Sequence, residues 1–478
     1  MDQATDLSAL LPDDVLADVL RRLPPRHLAV SRSVCTAWRA AIDADGTLLK
    51  AKESLPLSLA GLLIKYNWSY HITEFFARPS RTKKGPSAIA AGKRDFLAEG
   101  EIGAWSTVLD HCNGLLLTYG DDGDDDEGGL CVINPATRRR ARVPPCPPPR
   151  IELARTVGEE YLAYDPSVSP HYQIFSLPYF VTLAHDKFGD EVDRAVEESE
   201  WPPATYITHV FSSVTGQWEE RSFVREGEAA GTVADMRKHC SIDRCNAVYR
   251  RGELYVHGQT DFFMRISLSK DKYQVIKPPV ICSASFPEPS TFSELYLGKS
   301  EKGLYCSSIQ GECRLQVWIL HEITMEWVLK HDRDLLPLLM KNNLKVPCHD
   351  YNKKVHGPWI LQDINYNYKK DVGMKAIVRN RFAWSSDASD DDDETSECRV
   401  DKEGKNFNCG YFDILGFHPY KEIIFLSQSI KRGLAYHLNG STIQDLGYLY
   451  PKGYDQQLPN EQLIESSFPY TPCWIELI

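Results

Sequence analysis

The residues of greatest chemical potential stand in a few small groups. "HGQTD" at 257–261 puts His257 near Asp261, the pairing by which a carboxylate orients an imidazole base. His239, Cys240 and Cys245 gather donor types that zinc takes, yet no second pair at zinc spacing follows. Arg138, Arg139, Arg140 and Arg142 concentrate positive charge that could meet an acidic partner or act as an import signal. "DDGDDDE" at 121–127 and "DASDDDDETSE" at 387–397 are rich in carboxylates but lack the alternating ligands and turn glycine of a calcium loop.

Each group has a plainer reading. A β-rich chain with 14 histidines brings His near Asp by chance. Isolated Cys and His pack as ordinary side chains, and acidic runs form solvated loops. The arginines fall inside a repeated segment, where an exposed strand or hairpin accounts for them. "PPCPPPR" at 144–150 reads as an extended connection as well as it reads as a polyproline ligand. No G-x-S-x-G elbow, H-E-x-x-H, phosphate-binding glycine loop or dinucleotide fingerprint occurs. The expectation is a protein with no catalytic residues, no cofactor and no metal.

With 478 residues the chain exceeds one ordinary compact core, and 42% hydrophobic with 25% charged residues mark it as globular. A net charge of −12 argues against broad nucleic-acid binding, which needs a concentrated basic face. The 13 cysteines are scattered, with no C-x-x-C pair, as suits reduced thiols better than a disulfide framework. No apolar run approaches a membrane span, and the first residues include acids where a secretory signal would be basic. These features predict a soluble cytoplasmic or nuclear protein, without membrane or nucleic-acid partners.

The stretch "LPDDVLADVLRRLPPRHLAVSRSVCTAWRAAI" at 11–42 carries two helical patterns. Pro12, Asp13 and Asp14 suit a first turn, Val15, Leu16, Val19, Leu20 and Leu23 form an apolar stripe, and Pro24-Pro25 ends it. A second stretch from His27 to Ile42 presents Leu28, Val30, Val34, Cys35, Trp38, Ala41 and Ile42. A bundle this small buries a thin core and needs a partner or neighbour.

This stretch resembles an F-box in its Leu11-Pro12 opening, the Leu23-Pro24 step, Leu28 and the Val34-Cys35-x-x-Trp38-Arg39 ending, with Thr36 where the family often has Lys or Arg. The resemblance implies docking on a Skp-family adaptor, and through it on the cullin and RING subunits of an SCF ubiquitin ligase. Leu11, Pro12, Val15, Leu16, Leu20, Leu23 and Pro24 would face the adaptor, as an amphipathic helix lies in an apolar groove. Val19, Leu28, Val34, Cys35 and Trp38 would form the core of the helical unit.

Beyond residue 55 the pattern becomes one of short apolar runs bounded by turn residues, such as "NGLLLTYG", "YQIFSLPY", "GELYVHG" and "EIIFLS". A degenerate hairpin recurs as "VINPATRRRARVPP", "VFSSVTGQWEERSF", "RISLSKDKYQVIKPP", "WILHEITMEWVLKHD" and "AYHLNGSTIQDLG", with "EFFARPSRTKKGPSAI" as a sixth copy. The middle copies begin about 55 residues apart, which fits one four-stranded sheet per copy. The predicted fold is mainly β with a small N-terminal helical bundle: an F-box followed by a β-propeller of six blades, or seven if a long insertion hides one. "CWIELI" paired with "LSLAGLLI" is the expected closure. The innermost strands are expected to read "GLLL" and "GLYC", too apolar for an active site.

The expected boundaries are a disordered 1–9, an F-box over 10–50, and a propeller domain over 55–478 with an acidic loop insertion around 340–408. "HCNGLLLTYG", "CVINPATRRR" and "YLAYDP" are similar to phrases of the plant-type F-box-associated region. Together the resemblances imply a non-catalytic substrate receptor, with the propeller binding a target protein of unknown identity for ubiquitination. The alternatives are an interaction scaffold without ligase partners and, further off, an enzyme built on the propeller channel.

Overall fold

The structure, a computed structural model, describes residues 12–23, 31, 35, 38, 40–42, 59–67, 73–78, 107–120, 129–148, 156–180, 194–238, 246–258, 260–279, 295–345, 357–362, 409–451 and 462–473. Helix α1 (Asp13–Arg21) is capped by Pro12, whose carbonyl accepts from Leu16 N at 3.0 Å. Proline suits that position because it needs no donor of its own there. Leu16 and Leu20, four residues apart on one face, are each 2% exposed and pack on Ile42, with Leu23, Trp38 and Ala41 against them.

That packing corrects two expectations. Leu16 and Leu20, read as docking residues, form the core of the helical unit. Val19, read as core, is 48% exposed beside Val15 at 42%. The apolar stripe is wider than one contact: successive residues turn by about 100°, so 16 and 20 face inward while 15 and 19 sit on the adjoining stripe.

The described β region forms six four-stranded antiparallel blades, the third and fourth joined edge to edge in one eight-stranded sheet. The first joins β1 (Gly61–Tyr66) and β2 (Thr73–Ala77) to two strands from far along the chain, described below. The second is β3 (Thr107–Cys112), β4 (Leu115–Gly120), β5 (Gly129–Asn134) and β6 (Arg139–Arg142). The third comprises β7 (Thr156–Ala163), β8 (Gln173–Phe180), β10 (Thr205–Ser212) and β11 (Gln217–Glu226). A small ribbon, β9 (Glu200–Trp201) with β12 (Gly231–Thr232), flanks it. The fourth is β13 (Ala247–Arg250), β14 (Glu253–His257), β15 (Phe263–Ser267) and β16 (Lys272–Ile276). Strands β17 (Tyr296–Ser300), β18 (Gly303–Gln310), β19 (Arg314–His321) and β20 (Glu326–Asp334) make the fifth. The sixth is β22 (Phe412–Phe417), β23 (Ile423–Gln428), β24 (Arg432–His437) and β25 (Thr442–Tyr448).

Blade interfaces supply the core. Side chains alternate across each strand, so Leu62 and Ile64 pack on Leu415 and Phe425 of the sixth blade while Leu63 packs with Val108 and Leu116 of the second. Likewise Leu115 and Leu117 meet Leu162 and Ile174 of the third. Further clusters join the third to the fourth, the fourth to the fifth and the fifth to the sixth. Both faces of most sheets are therefore buried, which is why many strands read as continuous apolar runs. The third and fourth blades are also tied at their outer edges, where β11 and β16 pair in parallel through Arg225 and Tyr273.

Five outer hairpins share one turn. The fourth residue after each strand end, Arg138, Gly216, Asp271, Met325 and Ser441, has positive φ. The strand-end residues are Asn134, Ser212, Ser267, His321 and His437, and the bonds Gly216 N to Ser212 O and Met325 N to His321 O are each 2.8 Å. The repeat read in the sequence is this hairpin.

The first blade is the exception. Its innermost strand is β26 (Ile464–Tyr470), paired with β1 through Gly61↔Tyr470 and Leu63↔Phe468. The expected partner "CWIELI" lies outside the described residues except Cys473, which is buried. The closing strand is instead "IESSFPY", which carries Ser466, Ser467 and Pro469, residues more usual in turns. An innermost edge tolerates them, since one side of that strand makes no ladder bonds. The outermost strand is β21 (Ile360–Gln362), paired with β2 through Phe76↔Leu361. The sixth hairpin copy thus begins with β2, but its described outer partner comes from within 340–408, the stretch expected to be a loop. The acidic run 387–397 lies outside the described residues.

Candidate functional site

Two regions are built for contact. The first is the outer stripe of α1, where Pro12, Val15 and Val19 are all exposed. Asp18 and Arg22 beside them form an exposed pair at 2.6 Å, worth little to stability but keeping the flank polar. Leu23 and Trp38 are half-buried against the cluster of Leu16, Leu20 and Ile42, and Cys35 is half-buried. Leu11, Pro24, Leu28 and Val34 lie outside the described residues.

The second region is the channel. Strands β26, β3, β7, β13, β17 and β22 neighbour one another in a ring. "GLLL" and "GLYC" belong instead to β4 and β18, the second strands of their blades. The expectation of an apolar channel therefore fails: the innermost strands read "TVLDHC", "TVGEEYLA", "AVYR", "YLGKS", "FDILGF" and "IESSFPY". A signal was available. Asn113-Gly114 and Arg251-Gly252 are two-residue hairpin turns with positive φ, so a strand precedes each Gly-flanked run.

Among these strands lies a small recess, partly open to solvent. Its walls include Asp110, His111, Asn113, Asn246, Tyr249, Lys299, Phe417 and Pro469. Lys299 Nζ donates to Asn113 Oδ1 at 2.9 Å and reaches Tyr249 O at 3.5 Å. Asn113 Nδ2 in turn donates to Tyr164 O at 2.6 Å. Asp110 Oδ2 accepts from Leu162 N at 2.7 Å, tying the second blade to the third. Burial pushes the Asp110 carboxyl up to about 7, against the opposing pull of the backbone bonds and Lys299. Burial also pushes the His111 imidazole down to about 3, and Lys299 adds to that. His111 Nδ1 and Asn246 Nδ2 are buried without a hydrogen-bond partner among the described residues.

The other groupings separate. His257 Nε2 meets Asp261 Oδ1 at 3.0 Å and the imidazole stacks on Phe263, which fixes the loop between β14 and β15. No hydroxyl or thiol nucleophile bonds to that imidazole among the described residues. Arg139, Arg140 and Arg142 lie on β6, an outermost strand, with their side chains exposed. Residues 144–148 follow the second blade without regular secondary structure, and Trp218 Nε1 of the third donates to Pro144 O at 2.8 Å. His239, Cys240, Cys245 and the run 121–127 lie outside the described residues, and among those described no group of His, Cys, Asp and Glu could hold a metal. Nor is any described helix long and apolar enough to cross a membrane.

A family model of the F-box domain matches residues 9–49. No curated protein matches the chain. Among solved structures, the chain is similar to a complex of KlAtg21 with the coiled coil of AgAtg16 (12% identity, 47% of this chain and 56% of that one, TM-score 0.25). It is also similar to a prolyl endopeptidase (11% identity, 94% and 54%, TM-score 0.31) and to YCF48 bound to D1 peptide (8% identity, 82% and 82%, TM-score 0.29). The chain thus spans little more than half the length of the first two. Scores this low do not bear on the fold, which rests on the strand pairing above.

Proposed function

We propose that this protein is the substrate-recognition subunit of an SCF-type ubiquitin ligase, with the helical unit docking on a Skp-family adaptor and the propeller holding a target protein. The observation that carries the reading is the F-box match over residues 9–49. The exposed stripe of Pro12, Val15 and Val19 supports it, because a short helix that leaves two valines uncovered has an apolar face to offer a groove. The receptor needs no catalytic residues: holding a target lysine near a charged conjugating enzyme raises its effective concentration. The likeness of "HCNGLLLTYG" and "CVINPATRRR" to phrases of the plant-type F-box-associated region supports this reading, whose compartment would be the cytoplasm or nucleus.

Adaptor capture tests the proposal. The full chain should retain a Skp adaptor with cullin, and Val15→Glu with Val19→Glu should abolish capture without moving the melting temperature. Leu16→Asp and Leu20→Asp would remove the buried core of the helical unit, so their loss of binding would not identify the contact face. An intact chain that captures no adaptor sinks the ligase reading and leaves the scaffold.

A further inference from the structure

Among the described residues, no carboxylate stands within ion-pair distance of the recess cation, Lys299. Lys299, the one lysine of the recess lining, is half-buried, and the His111 imidazole beside it is held neutral by burial. The described partners of Lys299 are an amide oxygen and a backbone carbonyl, both neutral. The one lining carboxylate, Asp110, is buried and turned to the Leu162 amide, and its raised affinity for a proton further limits its negative charge. Close by, Asn246 presents a buried NH₂ donor that nothing described accepts. A partly desolvated ammonium and an unanswered amide donor both gain from an incoming anionic acceptor.

The walls define that acceptor further. Tyr249, Tyr296, Phe417, Phe468, Pro419 and Pro469 make the recess largely apolar around its polar end. One lysine balances one negative charge. A phosphate near two would leave an excess beside Asp110 and would call for the arginine clusters that phosphate sites use. We propose that the recess binds the side-chain carboxylate of an Asp or Glu on a partner protein, with Lys299 as its counter-ion and the Asn246 amide as its second donor.

The proposal deepens the receptor reading by giving the chemistry of the target, but its test does not involve the adaptor. The full-length chain is panned against a library of C-amidated random heptapeptides in which phosphoserine is included as a building block. Selected peptides should share an Asp or Glu, and its replacement by Asn or Gln should weaken binding about tenfold, equivalent to about 1.4 kcal/mol. Lys299→Met should remove the same factor while melting cooperatively, Lys299→Arg should retain most of it, and Asn246→Asp should repel the acid. Failure to select any peptide, selection of phosphoserine in preference to Glu, or an acid dependence unchanged in Lys299→Met would each overturn the proposal. Loss of adaptor capture with acid selection intact would overturn only the ligase reading.

Discussion

A carboxyl and an imidazole adjacent on β3 respond to acid in opposite senses. Asp110, held at about 7 by burial, binds more protons folded than unfolded between roughly pH 4 and 7, so its contribution to stability falls as pH rises through that window. His111, held at about 3, binds fewer protons folded than unfolded between about 3 and 6.5, so its contribution is lost as pH falls through that window. Thermal melts at pH 7 and pH 5 separate them. The advantage of the wild type over Asp110→Asn should grow on acidification, and its advantage over His111→Gln should shrink. Parallel curves for all three proteins would show that neither group titrates as its burial requires. Neither residue was legible as a site from the sequence, because "TVLDHC" reads as one more half-apolar strand until its place beside the channel is known.

At the scale of elements, packing between blades decides more than strand propensity does. Glu422, between the sixth blade's first two strands, is buried and accepts from Tyr305 O–H at 2.8 Å, and Lys330 on β20 donates to both. This joins the fifth and sixth blades through the Lys330–Glu422 ion pair, with Lys302 at the longer distance of 4.0 Å. Lys330→Met leaves a buried carboxylate without its close cation and should cost about 3 kcal/mol, whereas the double variant with Glu422→Gln should recover most of that. Equal denaturation midpoints for the single and double variants would refute the pairing argument. The outer hairpins were readable because they are local: strand, polar strand-end residue, tight turn and return all lie within about 15 residues. The identities of β21 and β26 were not, since each pairs with a strand hundreds of residues away and has no local partner to reveal it.

The whole molecule is a ring whose first blade is assembled from three separate parts of the chain, and β26 is its closing strand. Deleting residues 462–478 exposes the apolar faces of Leu63 and Phe75 and removes β1's ladder on the channel side, leaving only its pairing with β2, so the truncated chain should lose cooperative melting or melt far below the full-length temperature. A truncated chain that melts cooperatively at the full-length temperature would show that closure rests elsewhere. The sequence alone determined the division into a helical unit and a β region, the repeated hairpin and the F-box pattern. All of these follow from periodicity within short windows. Only the tertiary structure decided which valines of α1 face outward, which strand of each blade lines the channel, and that Lys299, Asn246 and Asp110 share one recess. These depend on which faces other elements cover, and no local pattern of residues encodes what lies across a ring.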